Sequence, residues 1–320
     1  MTKRCDLCDH DQFAPISSLD RKRKPLETEA CTRCGLVSHR EIPTEAELAS
    51  FYATDYRQAY HGEITPSARR VMRAWKHGER IYRQIGPFAP PKSKVFEVGA
   101  GIGCTLKVFE QHGHRASGIE PNEGFEAYSR QQLGAAVTKK YLFDLEPKPA
   151  FDLVLLVHVI EHFRSPRTAL DHLHHLINPS GLLYVECPNL GAVTTREKLF
   201  HFAHIHNFTP ATLEAMANRA GFVVARWFSH PHDPILQVLL RRKEQTRWSV
   251  PERGLEQTLA ALNRYSYWSY HCRWEYLAPR SVELAGRAWE YVAAPPFVRS
   301  LLKSCQASQS ALASSNRRAA

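Results

Sequence analysis

The chain of 320 residues is long enough for one large domain with additions or for two domains. Its 43% hydrophobic and 23% charged residues are the balance of a water-soluble globular protein, and it has neither a secretory start nor an apolar run of membrane-spanning length, so we expect a cytoplasmic protein. The net charge of +10 favours an anionic partner without choosing among nucleic acid, acidic membrane and phosphorylated small molecules.

The first predicted element is a zinc ribbon over residues 1–45. Two Cys-x-x-Cys pairs, Cys5 with Cys8 and Cys31 with Cys34, are separated by 22 residues, which leaves room for a hairpin. In a cytoplasmic chain, paired motifs of this kind indicate a metal site and not disulfides. Four thiolates leave no open position on Zn²⁺, so we expect a structural ion that folds a segment too small to build a core.

Residues 46–92 are predicted to form a helical connector or lid. Thr44 and Glu47 have the spacing of a capping box at its start. Farther on, "PSARRVMRAWKHGERIYRQI" repeats apolar residues at helical spacing before "GPFAPPKS" breaks the helix. Basic residues that could contact a diphosphate lie in and before this region: Arg21, Lys22, Arg23, Lys24, Arg69, Arg70 and Arg73.

Residues 93–245 are predicted to form a mostly parallel sheet covered by helices on both faces. Short apolar runs alternate with helical segments, which is the pattern of this fold class. The runs are "KVFEVGA", "HRASGIE", "FDLVLLVH", "LLYVECP", "FVVARWF" and "ILQVLLRR". Only "SHPHDP" separates the last two, which predicts a hairpin with an antiparallel strand.

A glycine-rich turn follows the first strand of this sheet, in "VFEVGAGIG". Gly99, Gly101 and Gly103 let the backbone approach a ligand at a helix N-terminus, where N–H groups are unpaired. Glu120 ends the second strand about 20 residues later, where an acid can accept both hydroxyls of a ribose. A nicotinamide-binding domain prefers Gly-x-Gly-x-x-Gly, whereas Glu97 beside Gly-x-Gly-x-Gly suits a ligand with an ammonium group and no diphosphate.

These motifs and their order resemble class I S-adenosylmethionine (SAM)-dependent methyltransferases. The resemblance covers the sheet domain through "EVGAGIG", "GIEP", "FDLVLLVHVIEHFRSP", "LINPSGLLYVECPN" and "HNFTPATLEAMANRAGF". It implies an α/β fold with a Rossmann-like, seven-stranded sheet. It also implies that seven residues contact SAM: Glu97, Gly99, Gly101, Gly103, Glu120, Asp144 and His158.

The segment "HVIEH" after the fourth strand contains His158, Glu161 and His162. Some zinc peptidases carry His-x-x-Glu-His on a helix, but here His158 ends a strand and Pro166 begins the next helix, which excludes that role. By resemblance, the segment supports the SAM pocket and the active-site floor. A few quinone-pathway O-methyltransferases use an acid at its first position for a divalent metal. Catalysis, metal binding and a framework role therefore stay open.

A second histidine-rich segment, "HFAHIHNFTP", follows the fifth strand, above the sheet edge where ligands bind in such folds. Histidine suits a general base because it exchanges protons near neutral pH. We expect His204 to be the base and His206 to contact the substrate. A helix-entry loop stabilised by hydrogen-bonded histidines is the alternative.

"CTRCGLVSHREIPTEAELASFYATDY" also resembles the front of bacterial sugar and surface-polysaccharide methyltransferases, including deoxysugar C-methyltransferases. In these proteins a zinc domain joins the SAM domain through a tyrosine-bearing helical segment, which implies that Tyr56 and Tyr60 contact the substrate. His204 matches the histidine of a Glu-His pair in the C-methyltransferases, but Ala203 replaces the glutamate. Since a group needed for carbanion chemistry is missing, we expect O-methylation and keep C-methylation as the alternative.

The predicted acceptor is an anionic small molecule or glycan: a sugar, a sugar nucleotide or a related polysaccharide or natural-product intermediate. RNA is one alternative because of the ribbon and the basic runs, although the fourth strand lacks the Asn/Asp-Pro-Pro-aromatic sequence of base N-methylation. A non-catalytic scaffold with the SAM fold is another alternative.

Beyond the sheet, residues 246–306 are predicted to form a helical extension whose aromatic residues pack between helices. The small polar residues at 307–320 predict a disordered tail. The sequence makes no prediction of the oligomeric state.

Overall fold

The structure, a computed structural model, describes residues 3–44, 46–48, 66–192 and 199–318. The chain divides into two units, Met1–Ala49 with Leu145–Leu277 and Ser50–Asp144 with Ala278–Ala320. Tyr56 and Tyr60, the predicted substrate contacts, lie outside the described residues. Among the residues that are described, no helix combines the length and the apolar character needed to cross a membrane.

The ribbon begins with three short strands, β1 (Phe13–Leu19), β2 (Pro25–Cys31) and β3 (Val37–His39). β1 and β2 form an antiparallel hairpin between the two cysteine pairs, and β3 pairs antiparallel with β2. A two-residue strand from much later in the chain, β9 (His206–Asn207), pairs antiparallel with β3. The sheet order is therefore β1-β2-β3-β9, and the second histidine-rich segment supplies its last strand.

Seven strands form the main sheet: β4 (Lys94–Val98), β5 (Arg115–Ile119), β6 (Val137–Thr138), β7 (Phe151–Val157), β8 (Ile177–Pro188), β10 (Phe222–Trp227) and β11 (Ile235–Arg242). Their order is β10-β11-β8-β7-β4-β5-β6. β4 pairs parallel with β5, β5 with β6 and β7 with β8, whereas β11 is antiparallel to both β8 and β10. The predicted Rossmann-like sheet with a closing hairpin is confirmed. The sequence reading missed β6, which is only two residues long.

Residues 46–48 are helical, and the described residues include eight further α-helices: α1 (Ala68–Ile85), α2 (Cys104–Gln111), α3 (Glu123–Tyr128), α4 (Pro166–Leu176), α5 (Pro210–Arg219), α6 (Gly254–Leu262), α7 (Tyr267–His271) and α8 (Trp274–Arg318). Short helical turns lie at Gly86–Phe88, Ser129–Leu133, Leu142–Asp144 and Ile160–His162. The apolar spacing that predicted α1 corresponds to its buried face, which includes Val71, Trp75, Ile81 and Ile85.

Each unit has its own apolar core. In the second unit, Val71 and Trp75 of α1 pack with Phe125 and with Val298 and Leu301 of α8. The C-terminal helix thus buries one part of its length in the core of this unit, which gives the predicted helical extension a packing role.

The ribbon does not depend on its own residues alone for a core. Ile16, Ala30 and Val37 pack with Leu190 and Phe200 of later segments in the same unit. The ribbon therefore shares a core with the segments that surround the second histidine-rich loop.

A close glycine contact fixes α6 against the ribbon. Gly35, with φ +75°, and Gly254 approach so closely that a Cβ on either would lie 2.2 Å from a backbone oxygen of the opposite segment. Thr258 donates a hydrogen bond of 2.9 Å to the Gly35 carbonyl beside this contact. Only glycine allows two backbones to meet at this distance.

Two features of the C-terminal region differ from expectation. Trp268, Trp274 and Trp289 are 74%, 76% and 68% exposed, so the prediction that the aromatic residues pack between helices is wrong for these three. The last helix also extends to Arg318, where the composition predicts a disordered tail. The alanines of this segment favour a helix but add no large apolar side chains. Helix propensity therefore predicts a helix there, whereas the low hydrophobicity predicts disorder.

Candidate functional site

The turn between β4 and α2 has the conformation that its glycines predict. Gly99, Gly101 and Gly103 have φ values of 72°, 54° and 76°, in the left-handed region that favours glycine. A Cβ at Gly103 would lie 2.9 Å from the Ala135 Cβ, which makes glycine necessary for packing. A Cβ at Gly101 would meet no atom within 4 Å. The turn therefore has open space beside Gly101 where a ligand can approach the backbone.

Glu120 is fixed beside this turn by the backbone. The Gly101 N–H donates to Glu120 Oε2 at 2.8 Å, and the Asn122 N–H donates to Oε1 at 2.8 Å. Burial raises the pKa of this carboxyl, and the two N–H donors act in the opposite direction. Each carboxylate oxygen has a further lone pair, so the group can still accept the two hydroxyls of a ribose.

Glu97 is a buried acid with an unsatisfied oxygen. Its side chain on β4 is 4% exposed, and Oε2 has no hydrogen-bond partner among the described residues. Burial raises the pKa of Glu97 to about 8, with a further rise from the Glu120 charge against the effect of a Thr105 hydrogen bond. An ammonium group at Oε2 would satisfy the oxygen and stabilise its charged form.

The turn and its two acids fit SAM. The open space at Gly101 allows close approach, and the unpaired Glu97 oxygen matches a ligand ammonium group. The Asp144 carboxylate is exposed and accepts a 2.8 Å hydrogen bond from the Tyr141 N–H in its own turn.

His158 follows β7 with a positive φ of 55° and lies between two acids. Its Nδ1 is 3.5 Å from Glu161 Oε1 and its Nε2 is 3.6 Å from Glu186 Oε1. The Tyr184 hydroxyl donates to the other oxygen of Glu186 at 2.9 Å. Burial alone would lower the pKa of His158, but the two carboxylates outweigh it and raise the pKa to about 9. His158 is therefore a cation at neutral pH.

His162 has a defined tautomer when neutral. Its Nδ1 lies 2.7 Å from the Ala203 carbonyl oxygen, which can only accept, so Nδ1 donates. The lone pair is then on Nε2, 3.9 Å from Glu161 Oε1. Glu161 is 1% exposed, and neither of its oxygens has a hydrogen bond within the described part of the chain.

His204 completes this group. Its ring centroid lies 5.1 Å from that of His162 and 5.2 Å from that of His201. Burial, with the neighbouring histidines, lowers the pKa of His204 well below its ordinary value, and burial lowers that of His201 to about 3. Both rings are therefore neutral at physiological pH and can accept protons only weakly.

The structure brings together all four residues predicted to be catalytic. We call His158, Glu161, His162 and His204 the histidine cluster; it lies within the first unit. Ligand atoms of Glu161, His162 and His204 all lie within 4.8 Å of one another, so these three could also hold a metal ion. His206, the predicted substrate contact, is buried in β9, where its Nε2 donates to the Arg164 carbonyl at 3.2 Å.

The sequence did not lead us to Glu186, whose carboxylate lies beside Nε2 of His158. The signal was available, because Glu186 interrupts the apolar strand run "LLYVECP" and a carboxylate inside a buried strand requires a partner. The partner itself could not be read from the sequence, since β7 and β8 meet only in the folded sheet.

The four paired cysteines converge in the ribbon. We call Cys5, Cys8, Cys31 and Cys34 the cysteine cluster; all four are buried and their sulfurs lie within 4.8 Å of one another. The Cys5–Cys34 and Cys8–Cys31 sulfurs are 3.4 and 3.5 Å apart, close to the separation of about 3.8 Å that bonds of about 2.3 Å give in a tetrahedral site. The cluster could therefore hold one metal ion.

A family model described as "Methyltransferase domain" matches residues 68–226, just under half of the chain. A "Ubiquinone biosynthesis O-methyltransferase" of Pseudomonas aeruginosa (strain UCBPP-PA14) is 25% identical over an alignment of 166 residues, and the match covers 44% of this chain and 69% of that relative. A protein of the same name from Rhodopseudomonas palustris (strain TIE-1) is 25% identical over an alignment of 148 residues, and the match covers 41% of this chain and 58% of that relative.

A solved structure, Burkholderia thailandensis 1,6-didemethyltoxoflavin-N1-methyltransferase with bound 1,6-didemethyltoxoflavin and S-adenosylhomocysteine, is also similar. Its TM-score is 0.49 at 18% identity, and the match covers 65% of this chain and 96% of that one. Magnesium protoporphyrin IX methyltransferase from Synechocystis PCC 6803 gives a TM-score of 0.47 at 15% identity, covering 62% of this chain and 100% of that one.

Proposed function

We propose that this chain, whose residues 68–226 are a class I SAM-dependent methyltransferase domain, transfers a methyl group to a hydroxyl of an anionic small molecule. The observation that carries the proposal is the buried Glu97 carboxyl, whose Oε2 has no partner in the described chain, next to the glycine turn. A buried unpaired carboxyl oxygen costs stability, and an ammonium-bearing ligand would remove that cost.

On this proposal the second unit holds SAM. Glu97 would bind its ammonium group, the backbone at Gly99, Gly101 and Gly103 would line the methionine and ribose, and Glu120 would accept the ribose hydroxyls. Bound SAM supplies an electrophilic methyl group on a positively charged sulfur. Contact of Asp144 and of His158 with SAM, which the family resemblance implies, stays a prediction.

His162 is the base that the geometry favours for the acceptor hydroxyl. With Nδ1–H held by the Ala203 carbonyl, Nε2 has the lone pair that takes the hydroxyl proton. Glu161 near this nitrogen would stabilise the imidazolium that forms. His204, the base that the sequence favours, is less basic because burial and neighbouring histidines lower its pKa. We assign it the role of a neutral hydrogen-bonding group for the acceptor.

His158 would serve as a fixed positive charge. Its two carboxylate partners keep it protonated near neutral pH, so it is a hydrogen-bond donor and a poor proton acceptor. A donor of this kind can orient an acceptor oxygen, and holding the acceptor in line is a large part of catalysis in methyl transfer.

The acceptor class rests on two supports. The relatives named O-methyltransferases favour oxygen as the methylated atom, and the replacement of glutamate by Ala203 argues against the carbon chemistry of deoxysugar enzymes. The resemblance of the ribbon and connector to sugar and polysaccharide enzymes favours a sugar or sugar nucleotide. We further propose that the cysteine cluster holds a structural Zn²⁺, since four thiolates suit this ion and leave no open position.

A test uses methyl-labelled SAM, the purified protein and separate fractions of anionic metabolites, glycans and total RNA from a bacterial extract. We expect label in a small anionic sugar or glycan. Label in RNA would support the alternative in which the ribbon and basic runs bind nucleic acid. Failure to bind SAM, measured by calorimetry, would support the scaffold alternative and reject the proposal.

The histidine cluster has a second candidate role. Glu161 is buried with both oxygens outside any hydrogen bond described, and its oxygen, His162 and His204 could coordinate a divalent cation. Turnover that is lost with a chelator and restored by a divalent ion other than zinc, with the ribbon still folded, would favour this role over that of a base.

A further inference from the structure

A small cavity lies beside the ribbon in the first unit. Its volume is about 70 Å³, several times the space of about 10–15 Å³ that one water molecule needs. Lys3 and Arg4 line it from the ribbon, and Arg164 and His206 line it from two later segments. The cavity is thus large enough for a phosphate-sized group and has cationic residues on more than one side.

The charges around this cavity favour an anion. Lys3, Arg4 and Arg164 are cationic, and Arg4 is exposed, so solvent reaches this side. The Lys3 ammonium is partly neutralised by Glu29, to which it donates at 2.8 Å. Among the lining residues that the structure describes, Asp6 is the one carboxylic acid, and Cys5 of the cysteine cluster lines the cavity as well.

Both carboxylate oxygens of Asp6 already accept hydrogen bonds from residues at the start of α4. Its Oδ1 accepts from the Ser165 hydroxyl at 2.6 Å, and its Oδ2 accepts from the Arg167 N–H at 2.9 Å. These bonds partly balance the negative charge of Asp6. The cations Lys3, Arg4 and Arg164 therefore outnumber the one carboxylate, and a bound Zn²⁺ would offset half of the negative charge of the four thiolates.

His206 adds a specific requirement. The residue is 3% exposed, and its Nε2 donates to the Arg164 carbonyl at 3.2 Å. Nδ1 is then the accepting nitrogen, and it has no hydrogen-bond partner among the residues that the structure describes. A buried acceptor without a donor favours a ligand that carries a hydroxyl next to its anionic group.

The cavity shares two chain segments with the histidine cluster. Arg164 follows His162 by two residues, and His206 follows His204 by two residues. All four lie in the first unit. A group held in the cavity is therefore bound by the same two segments that carry the proposed base and its neighbour.

We propose that this cavity binds the anionic end of the acceptor, a phosphate or carboxylate with a neighbouring hydroxyl. Arg4 and Arg164 would bind the anion, and His206 Nδ1 would accept from the hydroxyl. The inference rests on the proposed function and moves the anion contact from the basic runs at residues 21–24 and 69–73 to the cavity beside Lys3, Arg4 and Arg164. The cysteine cluster would then also position this anion site, because Cys5 directly follows Lys3 and Arg4 in the sequence.

Calorimetry on the full-length, zinc-loaded protein tests this, with inorganic phosphate and glucuronate as probes. We expect saturable binding of at least one of them, and the stronger of the two identifies phosphate or carboxylate as the preferred anion. Arg4→Gln and Arg164→Gln should each weaken that binding about 10-fold or more, the effect of removing one charge-assisted hydrogen bond. Arg40→Gln is the matched control, because Arg40 is an exposed ribbon cation paired with Glu27 and does not line the cavity.

SAM binding is measured on the same samples to separate the two proposals. A wild-type protein that binds SAM but neither probe overturns the inference and leaves the proposed function in place. Equal binding by wild type, Arg4→Gln and Arg164→Gln also overturns it. A wild-type protein that fails to bind SAM rejects the proposed function, whatever the probes do. Because Arg4 is exposed, its variant keeps the test valid even if Arg164→Gln does not fold.

Discussion

The cysteine cluster and the histidine cluster are both built from segments far apart in the chain, but they differ in what their side chains leave unsatisfied. Four identical thiols lie within 4.8 Å of one another in the first, so one ion would satisfy all of them. In the second, a buried acid that has no hydrogen bond to any described residue lies among histidines of different charge. Uniform ligands give a closed, structural site, whereas mixed protonation states leave groups available for chemistry.

The largest effect is expected at the cysteine cluster. Cys31→Ser should abolish binding of one zinc equivalent and unfold the ribbon, because a structural zinc supplies on the order of 10–16 kcal/mol of apparent binding energy. Metal analysis and hydrogen exchange of β1 to β3 measure both effects. Cys272→Ser, at an exposed cysteine, is the control. If Cys31→Ser still bound a full equivalent of zinc, the structural role of the cysteine cluster would be rejected.

Substitution in the histidine cluster should reduce turnover and leave the fold intact. His162→Ala removes the proposed base, and general-base catalysis is worth roughly 10²–10⁴-fold in rate. We expect a fall of that size in kcat with unchanged SAM affinity, measured with the labelled acceptor. His175→Ala, on the exposed side of α4, should be neutral. A kcat close to that of wild type would leave His204 as the remaining candidate base.

Glu97→Gln should weaken SAM binding about 10- to 100-fold, because it removes a charged partner of the ammonium group. The pKa of Glu97, raised to about 8, also predicts that wild-type SAM affinity increases as pH rises towards 8 and the carboxyl ionises. The variant should lack this increase, which calorimetry at several pH values measures. Glu146→Gln, at an exposed acid, is the control.

The same raised pKa affects stability in the absence of SAM. The folded state holds the Glu97 proton more tightly than the unfolded state, so stability should fall as pH rises from the ordinary value of 4.5 to about 8. Glu97→Gln should flatten this dependence in urea unfolding. An unchanged pH profile would contradict the burial of an unpaired carboxyl.

The smallest effect is expected at Glu186. Glu186→Gln removes one of the two carboxylates that raise the pKa of His158, so that pKa should fall from its value of about 9, as followed by NMR titration. A raised histidine pKa stabilises the fold below the unfolded value of about 6.5, and this contribution is lost as pH rises through about 9. The variant should lose part of it at neutral pH. Glu252→Gln, at an exposed acid, should leave the His158 titration unchanged.

Local pattern predicted the features that local chemistry determines. The apolar runs gave six of the seven strands of the main sheet, and the glycine spacing gave a turn whose three glycines all have positive φ. The paired cysteines predicted their own convergence, because each pair brings two ligands within one short turn.

Features that depend on contacts between distant segments could not be predicted in this way. The tautomer of His162 depends on the Ala203 carbonyl, and the charge of His158 depends on Glu186 in the neighbouring strand. The sequence identified the histidines as candidates but favoured His204 as the base, since a pKa lowered by burial among other histidines is a property of the folded site. For Trp289 the sequence predicted a packing contact that the structure does not show, because an aromatic residue on a helix can stay exposed to solvent.

The pairing of β9 with β3 has a consequence for modularity. Zinc ribbons are often treated as independent modules that can be deleted or transferred to another protein. Here, however, the last strand of the ribbon sheet comes from the loop that follows the main-sheet strand β8. Deleting residues 1–45 would leave His206 and Asn207 without their strand partner and would release the loop that carries His204. The ribbon and this loop can therefore be exchanged between proteins only as a pair.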